Sequence, residues 1–335
     1  MTDQSSPADE KSITFLRAPR CTLEEIPQPE TAVAVLGVPY NNSLIPGNTA
    51  LAPAAIRAGS DFLVSRMALS PDSEVIDLWS GKRVKPLAEP RIFDLGDLTL
   101  HGTDMDGNNK VIREALRDIT ASGAFPLVMG GDHYVTAPCF WGASEGLAQG
   151  KPGFKMGYIH VDAHTDLFDN WPGAGKYTLG TTARRISELD VIDVSNMVWL
   201  GLRGWARPAE GMDYAIARGA NIMSMNVVRE KGVKAAAQEA MELAGKGVDA
   251  VYVSFDIDVV DSCYVPAISV PEPGGITSQE LIDIVNIFRE SPLVRAIDLV
   301  EICPDKENGP FGGLTAQLAA LALIQFVAPR VFDYR

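Results

Sequence analysis

Short apolar runs alternate with longer amphipathic ones along this chain. Runs occur at 32–39 (AVAVLGVP), 91–96 (RIFDLG), 125–130 (FPLVMG), 157–162 (GYIHVD), 197–202 (MVWLGL), 250–256 (AVYVSFD) and 295–301 (RAIDLVE), all but 197–202 ending in Gly, Asp, Glu or Pro. Successive side chains of a strand point to opposite faces, so runs apolar at consecutive positions predict strands covered on both sides. Between them, 108–120, 232–247 and 278–291 carry helical periodicity, the last with Thr277 or Ser278 as N-cap. Strand and helix in alternation predict an α/β protein with a mostly parallel sheet and helices on both faces. Residues 1–30 are polar and Pro-rich and predict a flexible arm. No repeat, low-complexity tract or linker-like shift follows, which predicts one domain over 31–335.

Composition narrows this picture. Of 335 residues, 46% are apolar and 21% charged, enough to bury a sizeable core. With 29 basic against 43 acidic side chains, the net charge of -14 speaks against a protein that tracks nucleic-acid phosphates. No continuous apolar run approaches the ~20 residues that span a bilayer, and the start (MTDQSSPADEKS) has no signal-peptide core. Cys21, Cys139, Cys263 and Cys303 are too sparse for a disulfide scaffold, which predicts reduced thiols and a cytoplasmic protein. Cys263 and Cys303 are expected to be small buried residues rather than ligands.

Ligands of open α/β sheets bind outside the carboxyl ends of the strands, and the polar residues cluster at those ends. Asp132 and His133 follow FPLVMG; Asp162, His164 and Asp166 follow GYIHV; Asp256, Asp258 and Asp261 follow AVYVSF; Glu301 closes the last strand. Steps of two in 162–166 and in 256–258 predict an extended backbone that points these side chains one way. Four converging carboxylates repel unless protonated or matched by cations, and two divalent ions supply the matching +4. Carboxylates with imidazoles favour Mn²⁺ or another first-row ion over a thiolate-rich zinc site. A paired metal site ~3.5–4 Å apart acidifies a water near neutral pH.

GGDH (130–133), DAHTD (162–166) and SFDID (254–258) resemble the three metal motifs of the ureohydrolases, the family of arginase, agmatinase and guanidinobutyrase. The resemblance runs from about 33 to 328. GVPY (37–40), GNTALAPAAIR (47–57) and PEPGGIT (271–277) are most similar to the agmatinase/guanidinobutyrase-like branch. It implies a three-layer α/β/α sandwich, a binuclear Mn²⁺ centre and a trimeric or hexameric assembly. By motif match, His133, Asp162, His164, Asp166, Asp256 and Asp258 hold the two metals. The implied reaction is attack of metal-activated water on a guanidinium carbon, releasing urea and an amine. Glu301, in VEICP, matches the carboxylate that receives the guanidinium, whose paired N–H donors suit it.

The chain departs from the family pattern on the substrate side. Agmatinase-like members carry a proton-shuttling His in an HGT segment after DAHTD; here Leu179 stands in its place, within YTLGTTARR (177–185). Of the remaining histidines, His160 is expected to be a buried supporting residue, and His101 to lie near the pocket rim at most. Tyr177 is the nearest replacement donor. Asn41 replaces an Asp, Asp261-Ser262-Cys263 replaces a Pro-containing stretch, and Ala267-Ile268-Ser269-Val270 replaces a GTG-like one. Phe168 and Trp171 follow DAHTD, with Trp171 expected to anchor its loop. These changes predict a less polar pocket and a substrate other than agmatine, such as a small or N-alkylated guanidine, a biguanide or an amidine. Formiminoglutamase-like relatives also lack the His, and guanidine-cleaving ones favour Ni²⁺. The contrary reading is a non-catalytic subunit paired with a catalytic paralogue. That reading predicts eroded ligands, whereas all six are intact.

Overall fold

The computed structural model describes residues 13–42, 45–67, 73–102, 104–205 and 207–335. Eight parallel strands form the central sheet: β1 (Val33–Gly37), β2 (Ile92–Asp97), β3 (Phe125–Met129), β4 (Met156–Val161), β5 (Met197–Leu202), β6 (Asn221–Ser224), β7 (Ala250–Asp256) and β8 (Val294–Val300). Their order is β2-β1-β3-β8-β7-β4-β5-β6, every pairing parallel. Seven of the eight coincide with the apolar runs. The edge strand β6 went unseen because Asn221 and Ser224 break its apolar pattern, and its exposed outer edge demands none.

Alternation along each strand feeds two cores. Val251, Val253 and Phe255 of β7 face the helices Val233–Ala244, Ser278–Arg289 and Gly313–Val331. Tyr252, with Tyr158 of β4 and Trp199 of β5, packs toward Met105–Ala121 and Thr136–Leu147. Three layers result: helices, sheet, helices. Thr277 is the N-cap of Ser278–Arg289; its Oγ1 accepts from Glu280 N–H at 3.1 Å while Glu280 accepts from Thr277 N–H at 2.7 Å, a reciprocal cap worth about 1 kcal/mol.

Three further features of the fold depart from the sequence expectations. Residues 1–12 of the expected flexible arm lie outside the described residues, but from Phe15 onward the segment is anchored: Phe15 is fully buried and its N–H donates to Asp94 Oδ2 at 2.8 Å. Polarity hid this because one buried ring suffices to pin the chain. Secondly, Gly313–Val331 is apolar and long enough to cross a membrane, though most of it is buried as a core helix. Thirdly, Val75–Ile76, Arg83–Pro86 and Phe332–Tyr334 form a small antiparallel sheet that no apolar run announced.

Candidate metal centre

The sheet order brings the four motifs together. Strands β3, β8, β7 and β4 are neighbours, so the segments after Met129, Val300, Phe255 and Val161 meet at one end. Gly131 makes the closest approach possible: a Cβ there would meet the Tyr40 carbonyl oxygen at 1.9 Å. Its own carbonyl accepts from Glu301 N–H at 3.0 Å, which joins GGDH to the end of β8.

The extended geometry expected for 162–166 is not what forms. β4 ends at Val161, the chain bends, and Asp166 adopts a left-handed φ of 49°. Asp256 ends β7, and Asp258 lies in the short 3-10 turn Ile257–Val259. The carboxylates still converge because they turn back on the backbone: Asp256 accepts from Asp258 N–H at 2.8 Å, and Asp162 from His164 N–H. Asp258 reaches across to Ala163 N–H at 3.2 Å. A two-residue period gave the right partners for the wrong local reason.

All six sequence-predicted ligands lie in one cluster. His133 Nδ1 is 3.0 Å from Asp162 Oδ2, 3.1 Å from Asp166 Oδ2 and 3.0 Å from Asp256 Oδ2. His164 Nδ1 is 2.9 Å from Asp258 Oδ2 and 3.5 Å from Asp162 Oδ1. One ring nitrogen carries at most one hydrogen and cannot serve three carboxylates. Indeed His133 Nδ1, Asp162 Oδ2 and His164 Nε2 are buried without a well-aligned hydrogen bond. Donors at right angles around a cation with bonds of about 2.1 Å lie about 3.0 Å apart, the separation found here. Two donor groups emerge, His133/His160/Asp162/Asp166 and Asp162/His164/Asp258, sharing Asp162; His160, expected only as a support, enters the first, and Asp256 enters neither, although its Oδ2 faces His133 Nδ1. The donor set therefore fits a pair of divalent cations.

Electrostatics point the same way. Burial, with Asp258 and Asp162 beside it, pushes Asp256 well above the ordinary carboxylate range. Burial and Asp162 likewise raise Asp166. Burial opposes protonation of His164, but Asp258 and Asp162 outweigh it and lift the imidazole to about 12. In the protein alone, excess negative charge is being relieved by protons.

His160 is fully buried behind the cluster, as its apolar surroundings predicted. Its Nε2 lies 2.8 Å from Asp162 Oδ2, its Nδ1 is 2.9 Å from Tyr158 Oη, and its ring stacks on His133 at 4.7 Å. Sequence reasoning missed the support behind His133. Its Nε2 is 3.0 Å from Ser254 Oγ, which donates to Asp298 Oδ1 at 2.6 Å, while Tyr252 Oη donates to Asp298 Oδ2 at 2.8 Å. His160, Ser254 and Asp298 are in register across β4, β7 and β8. Asp298 inside the apolar stretch Ala296–Val300 was the available signal.

Glu301 is also buried, at a φ of 69° that a residue with a side chain seldom adopts. Its Oε1 accepts from His133 N–H at 2.6 Å and its other oxygen from Ser269 Oγ. Burial and the Asp132 carboxylate push it up to about 8.

Other expected residues fall elsewhere. Tyr177 is half-buried, 5.6 Å from the Tyr134 ring; its carbonyl accepts from Asn42, but its hydroxyl has no hydrogen bond among the described residues. Leu179 is buried in a turn packed against His133–Val135. His101 is exposed and linked through its N–H to Asn108. Asp261 accepts from Cys263, Gly274 and Gly275 N–H groups and belongs to no ligand group. Cys263 is exposed, against the expectation of burial, because Asp261 turns that loop outward; Cys303 is buried as expected. Trp171 stacks on Phe168 at 5.0 Å and closes a turn with Gly175, an anchor of its loop.

Residues 31–328 match the arginase family model. The chain belongs to the arginase family. Guanidinopropionase from Pseudomonas aeruginosa is 35% identical over 73% of this chain and 73% of the relative, and guanidinobutyrase from the same organism is 32% identical over 72% of each. A solved structure of Trypanosoma cruzi formiminoglutamase with Mn²⁺ superposes with a TM-score of 0.75 at 25% identity, covering 91% of this chain and 95% of that one. These relatives make the chain a metal-dependent amidinohydrolase of the arginase-family fold.

Proposed function

We propose that this amidinohydrolase works with two divalent cations, Mn²⁺ before Ni²⁺, held by His133, Asp162, His164, Asp166, Asp256 and Asp258. Its substrate is a small guanidino compound other than agmatine, released as urea and an amine. The observation that carries this reading is the His133 nitrogen facing three carboxylate oxygens that no single hydrogen can satisfy. The cations supply Lewis-acid activation of water and charge stabilisation.

The chain's own residues do the rest. Glu301 receives the guanidinium by accepting two of its N–H donors, its own orientation set by His133 N–H and Ser269 Oγ. Asp166 takes the proton that attack on the carbon releases. Leu179 puts an apolar side chain where a shuttling imidazole is expected, so Tyr177 or solvent protonates the leaving amine. Ser254 Oγ, whose own hydrogen goes to Asp298, accepts at the far nitrogen of His133 and so fixes its tautomer.

Leu179 also favours a second reading, hydrolysis of a formimidoyl compound. One assay separates them. Purified protein loaded with Mn²⁺ or Ni²⁺ is offered guanidinopropionate, guanidinobutyrate, agmatine, alkylguanidines, biguanides and formimidoylglutamate. Urea from a guanidino compound supports the first reading, and formamide from formimidoylglutamate alone supports the second. Silence from every substrate, reversed by co-expression with a paralogue, would move the chemistry to a partner subunit. We further propose a cytoplasmic trimer or hexamer, to be tested by mass photometry and cell fractionation.

A further inference from the structure

The opposite end of the sheet holds a second polar feature that the hydrolytic reading does not use. A cavity of about 460 Å³ opens there, lined by Glu30, Thr31, Gly123, Phe125, Pro292 and three arginines, Arg91, Arg295 and Arg330. Arg91 precedes β2, Phe125 begins β3, Arg295 is the second residue of β8, and Arg330 lies in the last turn of Gly313–Val331. β8 thus runs from this cavity to Glu301, about 20 Å at ~3.3 Å per residue. The pairing of β8 with β7 slips at Arg295, between Val294 and Ala296, and Arg295 is the exposed position of an otherwise buried strand. Such an irregularity turns a side chain out of the regular alternation.

None of the three guanidiniums makes an ion pair or a side-chain hydrogen bond among the described residues. That is unusual in a chain with 43 acidic and 29 basic side chains, where carboxylates are in surplus. Elsewhere that surplus is used: Arg57, Arg113, Arg184, Arg185 and Arg229 each hold a carboxylate. Arg330 is half-buried, its guanidinium 4.3 Å from the centre of the Phe125 ring. Burial, and after it the Arg295 cation, push Arg330 below its ordinary value. Glu30 is the one carboxylate in the lining, so three positive charges face one negative.

We propose that this cavity binds a small oxyanion carrying two or more negative charges, a phosphate or a dicarboxylate. Planar guanidinium forks pair two oxygens at a time, and several forks around one cavity select oxyanions over chloride. The volume suits a small metabolite. The site is separate from the metal centre and does not depend on the hydrolytic reading.

The test is calorimetry and thermal denaturation of the metal-loaded full chain with inorganic phosphate and with succinate, against sodium chloride at equal ionic strength. The expected result is saturable binding of at least one probe with a Tm rise of a few degrees, and the tighter probe identifies the source. Arg295→Gln should weaken binding about tenfold, which is about 1.4 kcal/mol, and Arg91→Gln/Arg295→Gln should abolish it with metal content and circular-dichroism spectrum retained. Arg295→Lys, which keeps the charge and loses the fork, should bind between wild type and Arg295→Gln. No saturable binding of either probe would overturn the proposal. Equal binding by wild type and the double variant would overturn it as well, because the anion would then sit elsewhere.

Discussion

Two buried ionic clusters of this protein are built on opposite logic. Around Asp94 everything is paired. The carboxylate is fully buried and accepts from Arg57 Nε at 2.8 Å, Arg57 Nη2 at 2.9 Å, Phe15 N–H at 2.8 Å and Gly96 N–H at 2.9 Å. Burial alone would raise Asp94, but Arg57 and these donors hold it below the ordinary carboxylate range. At the metal centre, equally buried carboxylates face one another and share histidines that cannot satisfy them, and Asp256 and Asp166 are driven upward. A buried charge matched by its own chain is structure; one left unmatched is a place kept for something else.

The largest expected effect is at the unmatched cluster. Asp256→Asn or His164→Ala should lower metal content and urea release together, activity by roughly 10³-fold, since several kcal/mol of charge stabilisation are lost. Metal analysis beside a turnover assay checks this, and unchanged turnover in either variant would break the comparison. Chelation of wild type should abolish activity reversibly. In metal-free protein, Asp256→Asn should be at least as stable as wild type, because it removes a repelled charge.

Asp94→Asn should do the reverse, with metal content retained and about 3–5 kcal/mol of stability lost in chemical denaturation. The pH dependence follows from the same contrast. Asp94 is depressed in the folded state, so its contribution is present above its unfolded value and lost as pH falls through its folded value. Glu301 is raised, so in metal-free protein it costs stability as pH rises from 4.5 to about 8, and Glu301→Gln should flatten that slope. A slope unchanged by Glu301→Gln would place the raised group elsewhere.

Smaller effects concern the substrate. Glu301→Gln should leave the metals bound and cost about 2 kcal/mol in kcat/KM, near thirtyfold, the range of a hydrogen bond to a charged group. A silent Glu301→Gln would move the guanidinium to another acceptor. Tyr177→Phe should be the mildest, under tenfold and visible only on the alkaline limb of the pH–rate profile. Identical profiles for Tyr177→Phe and wild type would leave solvent as the proton donor.

Local pattern was enough for the seven long strands, for Thr277 as a cap, and for the six acidic and imidazole side chains that cluster, because apolar alternation and motif spacing are properties of neighbouring residues. What stayed hidden depends on which strands lie side by side. The row His160–Ser254–Asp298 draws on three strands with more than 40 residues between its members, and only the order β8-β7-β4 aligns it. The left-handed turns at Asp166 and Glu301 were equally illegible, since packing imposes them against local preference. So was the convergence of Arg91, Arg295 and Arg330 at the far end of the sheet. The amino-acid order settled which donors the protein owns and at which strand ends they sit; the packed sheet decided which of them face each other, because distance in space follows strand order and not position along the chain.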